Sequence, residues 1–300
     1  MYVVTGATGN TGSEVVKSLL AKGQKVRAVG RSLERLQPYV TEGAEAFVAD
    51  LSDAAALTQA FKGVQAVYLM LPPNVAAPDV RGHQSLVTQA LATAVRQAAV
   101  KYAVVLSSIG ADKEEKTGPV VGLYELEQAL NAVPGLNVLH LRAGYFMENT
   151  MAQAGIIPAL GKTAGPLRAD LKLPMIATRD IGAAAAEALI KLDFKGQQTQ
   201  ELLGQRDLTM NEVTAVIAKA ISRPDLQYAQ LPDAHLRPAF LQMGLSADMT
   251  DLLLEMAGSL NSGYMKALEQ RSARNTTPTS YETFVVEEFV PAFKGKSQAA

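Results

Sequence analysis

Gly6, Gly9 and Gly12 are the first residues of this 300-residue chain that could do chemistry. They punctuate the run Thr5-Gly-Ala-Thr-Gly-Asn-Thr-Gly12, which follows the apolar Tyr2-Val-Val4 and precedes Val15, Val16, Leu19 and Leu20 at helical spacing. A strand, a glycine turn and a helix in that order aim free backbone N–H groups and the positive end of a helix dipole at one point, where a pyrophosphate binds. Gly6 suits the sharp turn, Gly9 the approach of phosphate to backbone, and Gly12 the close packing of helix on strand. Dinucleotide binding is the chemistry expected. The second apolar run ends in Gly30-Arg31-Ser32, with Arg35 one turn later. An acidic side chain there would select NAD through the ribose 2′-hydroxyl, whereas a guanidinium suits a 2′-phosphate through paired hydrogen bonds. NADP(H) is therefore the preferred cofactor and NAD(H) the alternative. Asp50, after the third apolar run, is placed to accept a hydrogen bond from the adenine amino group.

These residues need a sheet to hold them. Strands are predicted at 2–4, 24–29, 44–49, 66–71, 102–106 and 136–141, with a helix after each of the first five. The alternation indicates a Rossmann-type, doubly wound parallel sheet in an α/β fold. Its fourth strand is a continuous apolar run of the kind buried on both faces. It breaks at Pro72-Pro73-Asn74, on the carboxyl edge where ligands of open α/β folds bind. Asp53 is expected to cap the helix from Ala54. After Asn149 the alternation stops. The expected organisation is an NAD(P)-binding domain over 1–150, rejoined by 173–195, a smaller and mainly helical lid over 151–172 and 196–294, and a tail over 295–300. In that scheme 173–177 returns to the main sheet, 197–203 is a strand of the lid, Thr209-Met-Asn-Glu212 is a capping box and helices fill 233–270.

Composition excludes several functions. The chain has no cysteine, which removes disulfides, thiolate metal sites and cysteine nucleophiles, and its three histidines lack paired spacing, so no metal site is expected. A net charge of −1 gives no reason to expect nucleic-acid or membrane-surface binding. No apolar run is long enough to span a bilayer, and the chain opens directly in its first strand, so a cytoplasmic location is expected.

Together the run 5–12, Asp50, Leu-Ser-Ser at 106–108 and Leu-Arg-Ala-Gly-Tyr-Phe-Met-Glu-Asn at 141–149 resemble the NmrA-like group of atypical short-chain dehydrogenase/reductases. Thr-Pro-Thr-Ser-Tyr-Glu-Thr-Phe at 277–284 is similar to the group's last helix. The resemblance spans essentially the whole chain and is sharpest at the first motif. It implies that Gly6, Gly9 and Gly12 meet a pyrophosphate, with Thr8, Asn10 and Thr11 lining the phosphate loop. It further implies Arg31 at the 2′-phosphate, Asp50 and Leu51 at the adenine, Leu71 and Pro72 at the nicotinamide-side ribose, and Ser107 or Ser108, with Tyr145 and Phe146, on the substrate side. Members of the group include NADPH-dependent quinone reductases, phenylpropanoid reductases and cofactor-sensing regulators.

The better-known reductases of the superfamily carry Tyr-x-x-x-Lys on the helix after the fifth strand, where the ammonium lowers the tyrosine pKa. Here Tyr124 is followed by Gln128, which has no charge, so Tyr124 is expected to be structural or to line the pocket. A quinone-like acceptor collapses to a stabilised hydroquinone anion and tolerates that loss, because positioning carries much of the rate. Ser107, Ser108 or Tyr145 would then give a hydrogen bond to the developing oxyanion. His83 is a further candidate donor, and Met147, Met151, Met175 and Met243 are candidates for an adaptable pocket. The leading expectation is a reductase of a small acceptor. The alternative is a catalytically inactive NADP(H) sensor acting through a protein partner, and a homodimer is compatible with either.

Overall fold

The computed structural model describes residues 1–298. Seven parallel strands form the main sheet: β1 (Tyr2–Val4), β2 (Val26–Gly30), β3 (Glu45–Val48), β4 (Ala66–Leu69), β5 (Tyr102–Ser108), β6 (Asn137–Ala143) and, much later in the chain, β10 (Gln197–Leu202). Their order is β10-β6-β5-β4-β1-β2-β3. The order reverses between β1 and β4, and a doubly wound sheet opens its binding crevice at such a switch point. Helices cover both faces, as parallel strands require. On one side α1 (Asn10–Ala21) and α7 (Thr178–Lys191) bury Val15, Val16, Leu19, Ile181 and Leu189. Gly182 lets those two helices touch, since a Cβ there would lie 2.5 Å from the Glu14 Cβ. The other side carries α3 (Ala54–Phe61), α4 (Val80–Gln97) and α5 (Val121–Asn131), which bury Leu57, Phe61, Leu91, Val95, Leu126 and Leu130. Each such side chain contributes about 1.5–3 kcal/mol on burial. A short α2 (Leu33–Thr41) links β2 to β3.

The rest of the chain builds a second core over the carboxyl edge. The short strands β7 (Tyr145–Phe146), β9 (Leu173–Ile176) and β11 (Arg206–Leu208) form one small sheet, and β8 (Thr163–Gly165) pairs with β12 (Tyr228–Gln230). Around them lie α6 (Gln153–Leu160), α8 (Met210–Ala220), α9 (Asp233–Gln242) and α10 (Ala247–Ser262). The last helix begins as α11 (Tyr281–Phe284), passes through a π-helical turn at Val285–Phe289 and continues as α12 (Val290–Gln298). Tyr281, Phe284, Val285 and Phe289 pack with Met147, Ile157 and Met175.

Two strands exchange the places the sequence suggested. Leu173–Ile176 pairs in the small sheet, whereas Gln197–Leu202 adds the seventh strand to the main one. The reason is a polar edge: in β10 the last residues, Glu201 and Leu202, are buried while Gln197, Gln198 and Thr199 stay exposed, as an edge strand permits. Helix also gives way earlier than expected, because Gly263 (φ +76°) ends α10 and residues 264–280 run as a strap. Conversely, 295–298 belong to α12 rather than to a tail, while 299–300 lie outside the described residues. Asp53 caps α3 through the Ala56 N–H, and Thr209 and Glu212 form the expected capping box. Among the described residues no helix is long and apolar enough to cross a membrane.

Candidate functional site

The carboxyl edge carries a cavity of about 840 Å³, of a size that holds small molecules and cofactors. At one end are Gly9, Asn10 and Thr11, where α1 begins. Gly9 is the N-cap and offers no side chain, so the N–H groups of Asn10, Thr11 and Gly12 in the first turn keep no intrahelical acceptor. Gly6 takes φ +60°, the left-handed turn expected of it. A Cβ on Gly12 would lie 2.2 Å from the Gly6 oxygen, so Gly12 holds helix against loop. A Cβ on Gly9 meets only the Gly6 oxygen at 3.4 Å, an ordinary contact. Nothing in the protein requires glycine at position 9; the open space in front of it fits a pyrophosphate. Beneath the loop the Thr5 hydroxyl donates to the Tyr68 carbonyl at 2.9 Å, and the buried Tyr68 hydroxyl donates to Thr11 Oγ1 at 3.0 Å. Burial raises the Tyr68 pKa and keeps that phenol protonated.

Arg31, Arg35, Asp50 and Leu51 do not line this cavity. Arg31 is exposed at the end of β2, with no side-chain partner among the described residues, and Arg35 donates to the Thr8 carbonyl at 3.0 Å. The Arg35 guanidinium thus borders the loop. Asp50 is exposed, and its Oδ1 accepts from the Ser52 N–H (2.9 Å) and hydroxyl (2.6 Å), which lowers its pKa and keeps it an acceptor. Leu51 is buried in the core beside it. Leu71 and Pro72 line the cavity, as do Ser107, Ser108, Tyr145, Phe146 and His83.

Tyr124 does not. The α5 residues that face the site are Val120 at its N-cap and Leu123, and the next residue along that face is Glu127. The frame is shifted by one residue, about 100° of rotation, from the one a Tyr-x-x-x-Lys reading assumes. Gln128 is exposed and Glu127 is 2% exposed. The Glu127 carboxylate binds Arg142 bidentately, accepting from Nε at 3.0 Å and Nη2 at 2.6 Å, and also accepts the Ser107 hydroxyl at 2.6 Å. This unit ties β5, α5 and β6 together under the cavity floor. Removing one partner of such a buried pair costs about 3–5 kcal/mol. A signal for it was present in the sequence, since Leu123, Leu126, Glu127 and Leu130 are the apolar stripe of α5 and an acid on that stripe needs a buried cation.

Proton counting then separates the three hydroxyls. A carboxylate only accepts, so the Ser107 hydrogen is held by Glu127 and its oxygen can offer only lone pairs elsewhere. The Ser108 hydroxyl donates to the Ile109 carbonyl at 2.9 Å. Tyr145 remains. Burial pushes its phenol up to about 12, against a smaller opposing pull from Asn149, so it is a protonated donor at neutral pH. Behind Glu127 lies His140, buried in β6 with Nε2 2.9 Å from Asn131 Oδ1 and Nδ1 unpartnered; desolvation pulls its pKa down to about 4.

The far wall is apolar and comes from distant segments: Leu171 and Leu173, Met249 and Leu253, Met256 and Met265. Its methionines are not those the sequence suggested. Met147 and Met175 are core residues, Met151 packs partly buried against the same core, and Met243 is exposed. No cluster of three metal-ligating side chains occurs among the described residues.

With this geometry known, comparison with known proteins gives a consistent result. The model of the NmrA-like family matches residues 2–290. The NAD(P)H azoreductase of Xenophilus azovorans is 29% identical over 256 residues, covering 85% of this chain and 86% of that protein. Quinone oxidoreductase 2 of Escherichia coli K12 is 29% identical over 263 residues, covering 85% and 86%. Among solved structures, the NADPH-dependent quinone oxidoreductase QOR2 of Escherichia coli, complexed with NADPH, superposes with a TM-score of 0.77 at 24% identity, over 100% of this chain and 99% of that one.

Proposed function

We propose that this chain, which belongs to the NmrA-like family, is an NADPH-dependent reductase of a small, flat, electron-poor acceptor such as a quinone. The observation that carries the reading is the continuity of one cavity from the phosphate loop, across Leu71, Pro72 and the end of β5, to the apolar methionine wall. A cofactor lying along the first part leaves room for an acceptor against the second. Two relatives, named an NAD(P)H azoreductase and a quinone oxidoreductase and matched over 86% of their length, support the class.

In this reading Gly6, Thr8, Gly9, Asn10, Thr11 and Gly12 bind the pyrophosphate through backbone N–H groups and the Thr11 hydroxyl. Arg31, seconded by Arg35, takes the 2′-phosphate, and Asp50 and Leu51 flank the adenine. Leu71 and Pro72 bear on the nicotinamide-side ribose. A bound nicotinamide supplies the hydride. The chain's own residues exclude water with the apolar wall, orient the acceptor, and direct the Tyr145 hydroxyl at the acceptor oxygen that gains charge. Ser107, fixed by Glu127, offers an acceptor to an N–H group of whatever lies above it. Tyr124 takes no part.

The exposed Gln128 and the absence of a tyrosine relay favour a second reading, a cofactor sensor. Steady-state NADPH oxidation across a panel of quinones, with Gly9→Val as the cofactor-free control, decides between them. Saturable turnover that disappears in the control supports the reductase. Tight NADPH binding with no turnover on any quinone overturns it in favour of the sensor.

A further inference from the structure

We propose that the preferred acceptor carries an anionic substituent, a carboxylate or another oxyacid, and that Lys266 and Lys172 receive it at the cavity mouth. The inference rests on the reductase reading of the same cavity and names its substrate class. Three observations support it.

The first is the charge on the lining. Apart from His83, the ionisable side chains lining the cavity with a full charge are Lys172, Lys266 and Asp207. Asp207 is already neutralised by an ion pair with Arg271. Neither lysine forms an ion pair among the described residues. Glu212, which feels the charge of Lys172, keeps its own charge, but it is held in the capping box with Thr209 and is not part of the lining. The lining itself is therefore net positive, around an apolar interior.

The second is that Lys266 does not ride on a loose loop. It lies on the strap that follows α10, and the strap is fastened on both sides of it. The Met265 N–H donates to the Ser259 carbonyl at 3.0 Å. The Leu268 N–H (2.9 and 3.0 Å) and the Glu269 N–H (2.8 Å) donate to the carboxylate of Glu201, which is 2% exposed on β10. Met265 is itself seated against Gly110, where φ is +92° and a Cβ would come within 2.7 Å of the Met265 Cγ. The Lys266 backbone is thus fixed at the wall, while its side chain is exposed and lines the cavity.

The third is the position of Lys172, immediately before β9. Leu173 is buried and Lys172, one residue earlier, is exposed while still lining the cavity, so the second ammonium is tethered at the edge of the small sheet. A flat ring enclosed by Met249, Met256 and Met265 would present a side-chain anion to both lysines. Electrostatic attraction of this kind is screened by salt.

A naphthoquinone bearing a propanoate side chain and its methyl ester test this, because they differ in charge and hardly in shape. At low salt the wild type should show a KM for the acid about fivefold below that for the ester, and the gap should close at about 0.5 M salt. Lys266→Met should raise the acid KM about threefold to fivefold, Lys172→Met by somewhat less, and neither should move the ester. An acid no better than its ester, or variants that raise both KM values equally, would overturn the proposal. If neither quinone is reduced, the reductase reading fails by itself. Calorimetric titration of the same pair into NADP-loaded wild type and Lys266→Met still decides the charge preference. Tighter binding of the acid, lost in the variant, upholds it; equal affinities or no binding by either overturn it.

Discussion

The two ends of the cavity are built from different material. The phosphate end is backbone: a left-handed glycine, an uncapped helix start and a glycine whose missing Cβ is needed for packing, all within eight residues. The acceptor end is side chain: Tyr145 from β7, Leu173 from β9, Met249 and Met256 from α10, Met265 from the strap. Even its floor is a side-chain unit, with Ser107, Glu127 and Arg142 coming from three elements. A backbone site is specified locally and tolerates little change. A side-chain site is specified by tertiary contacts, and it can be rebuilt while the cofactor end stays intact.

Substitutions that act on one end only should break or sharpen this contrast. The largest effect is expected from Gly9→Val, which should abolish binding of NADPH and NADH alike while leaving the melting temperature near wild type, because the fold meets only an ordinary contact there. Retained binding in a fluorescence titration would misplace the phosphate cradle. Acid should then distinguish the foundations of the two ends. His140 lies behind the side-chain floor with its pKa pulled down to about 4 from an ordinary 6.5, so the unfolded chain takes up its proton first as pH falls. Stability should be fully present above about pH 6.5 and decline toward pH 4 by about 3 kcal/mol. Denaturant melts of His140→Gln should show that slope removed. Tyr145→Phe should cost about a hundredfold in kcat, the scale of a lost oxyanion donor. Arg31→Asp should weaken NADPH about tenfold more than NADH, read from paired titrations. The smallest effect belongs to Tyr124→Phe, expected to stay within about twofold of wild-type turnover because Tyr124 lies outside the cavity.

The same contrast explains what could be read in the sequence. The glycine turn at 6–12, the helix that follows it and the Asp53 cap were legible because each depends on neighbours a few residues away. The parallel sheet was legible for six strands. The seventh was not, because β10 is polar along its exposed edge and carries no apolar run. Tyr124 shows a limit of motif matching, since one residue of helical register turns it off the site and brings Glu127 under it. Glu127 itself was within reach, as an acid on an apolar stripe must be paired. The methionine wall was not, because nothing local distinguishes Met256 and Met265 from Met147 and Met175.

The most direct test of the division between the ends is to measure kcat and the NADPH dissociation constant side by side in Tyr145→Phe. A loss of about a hundredfold in kcat with the dissociation constant unchanged within about twofold is the predicted result. Equal damage to cofactor binding, or turnover left intact, would contradict it.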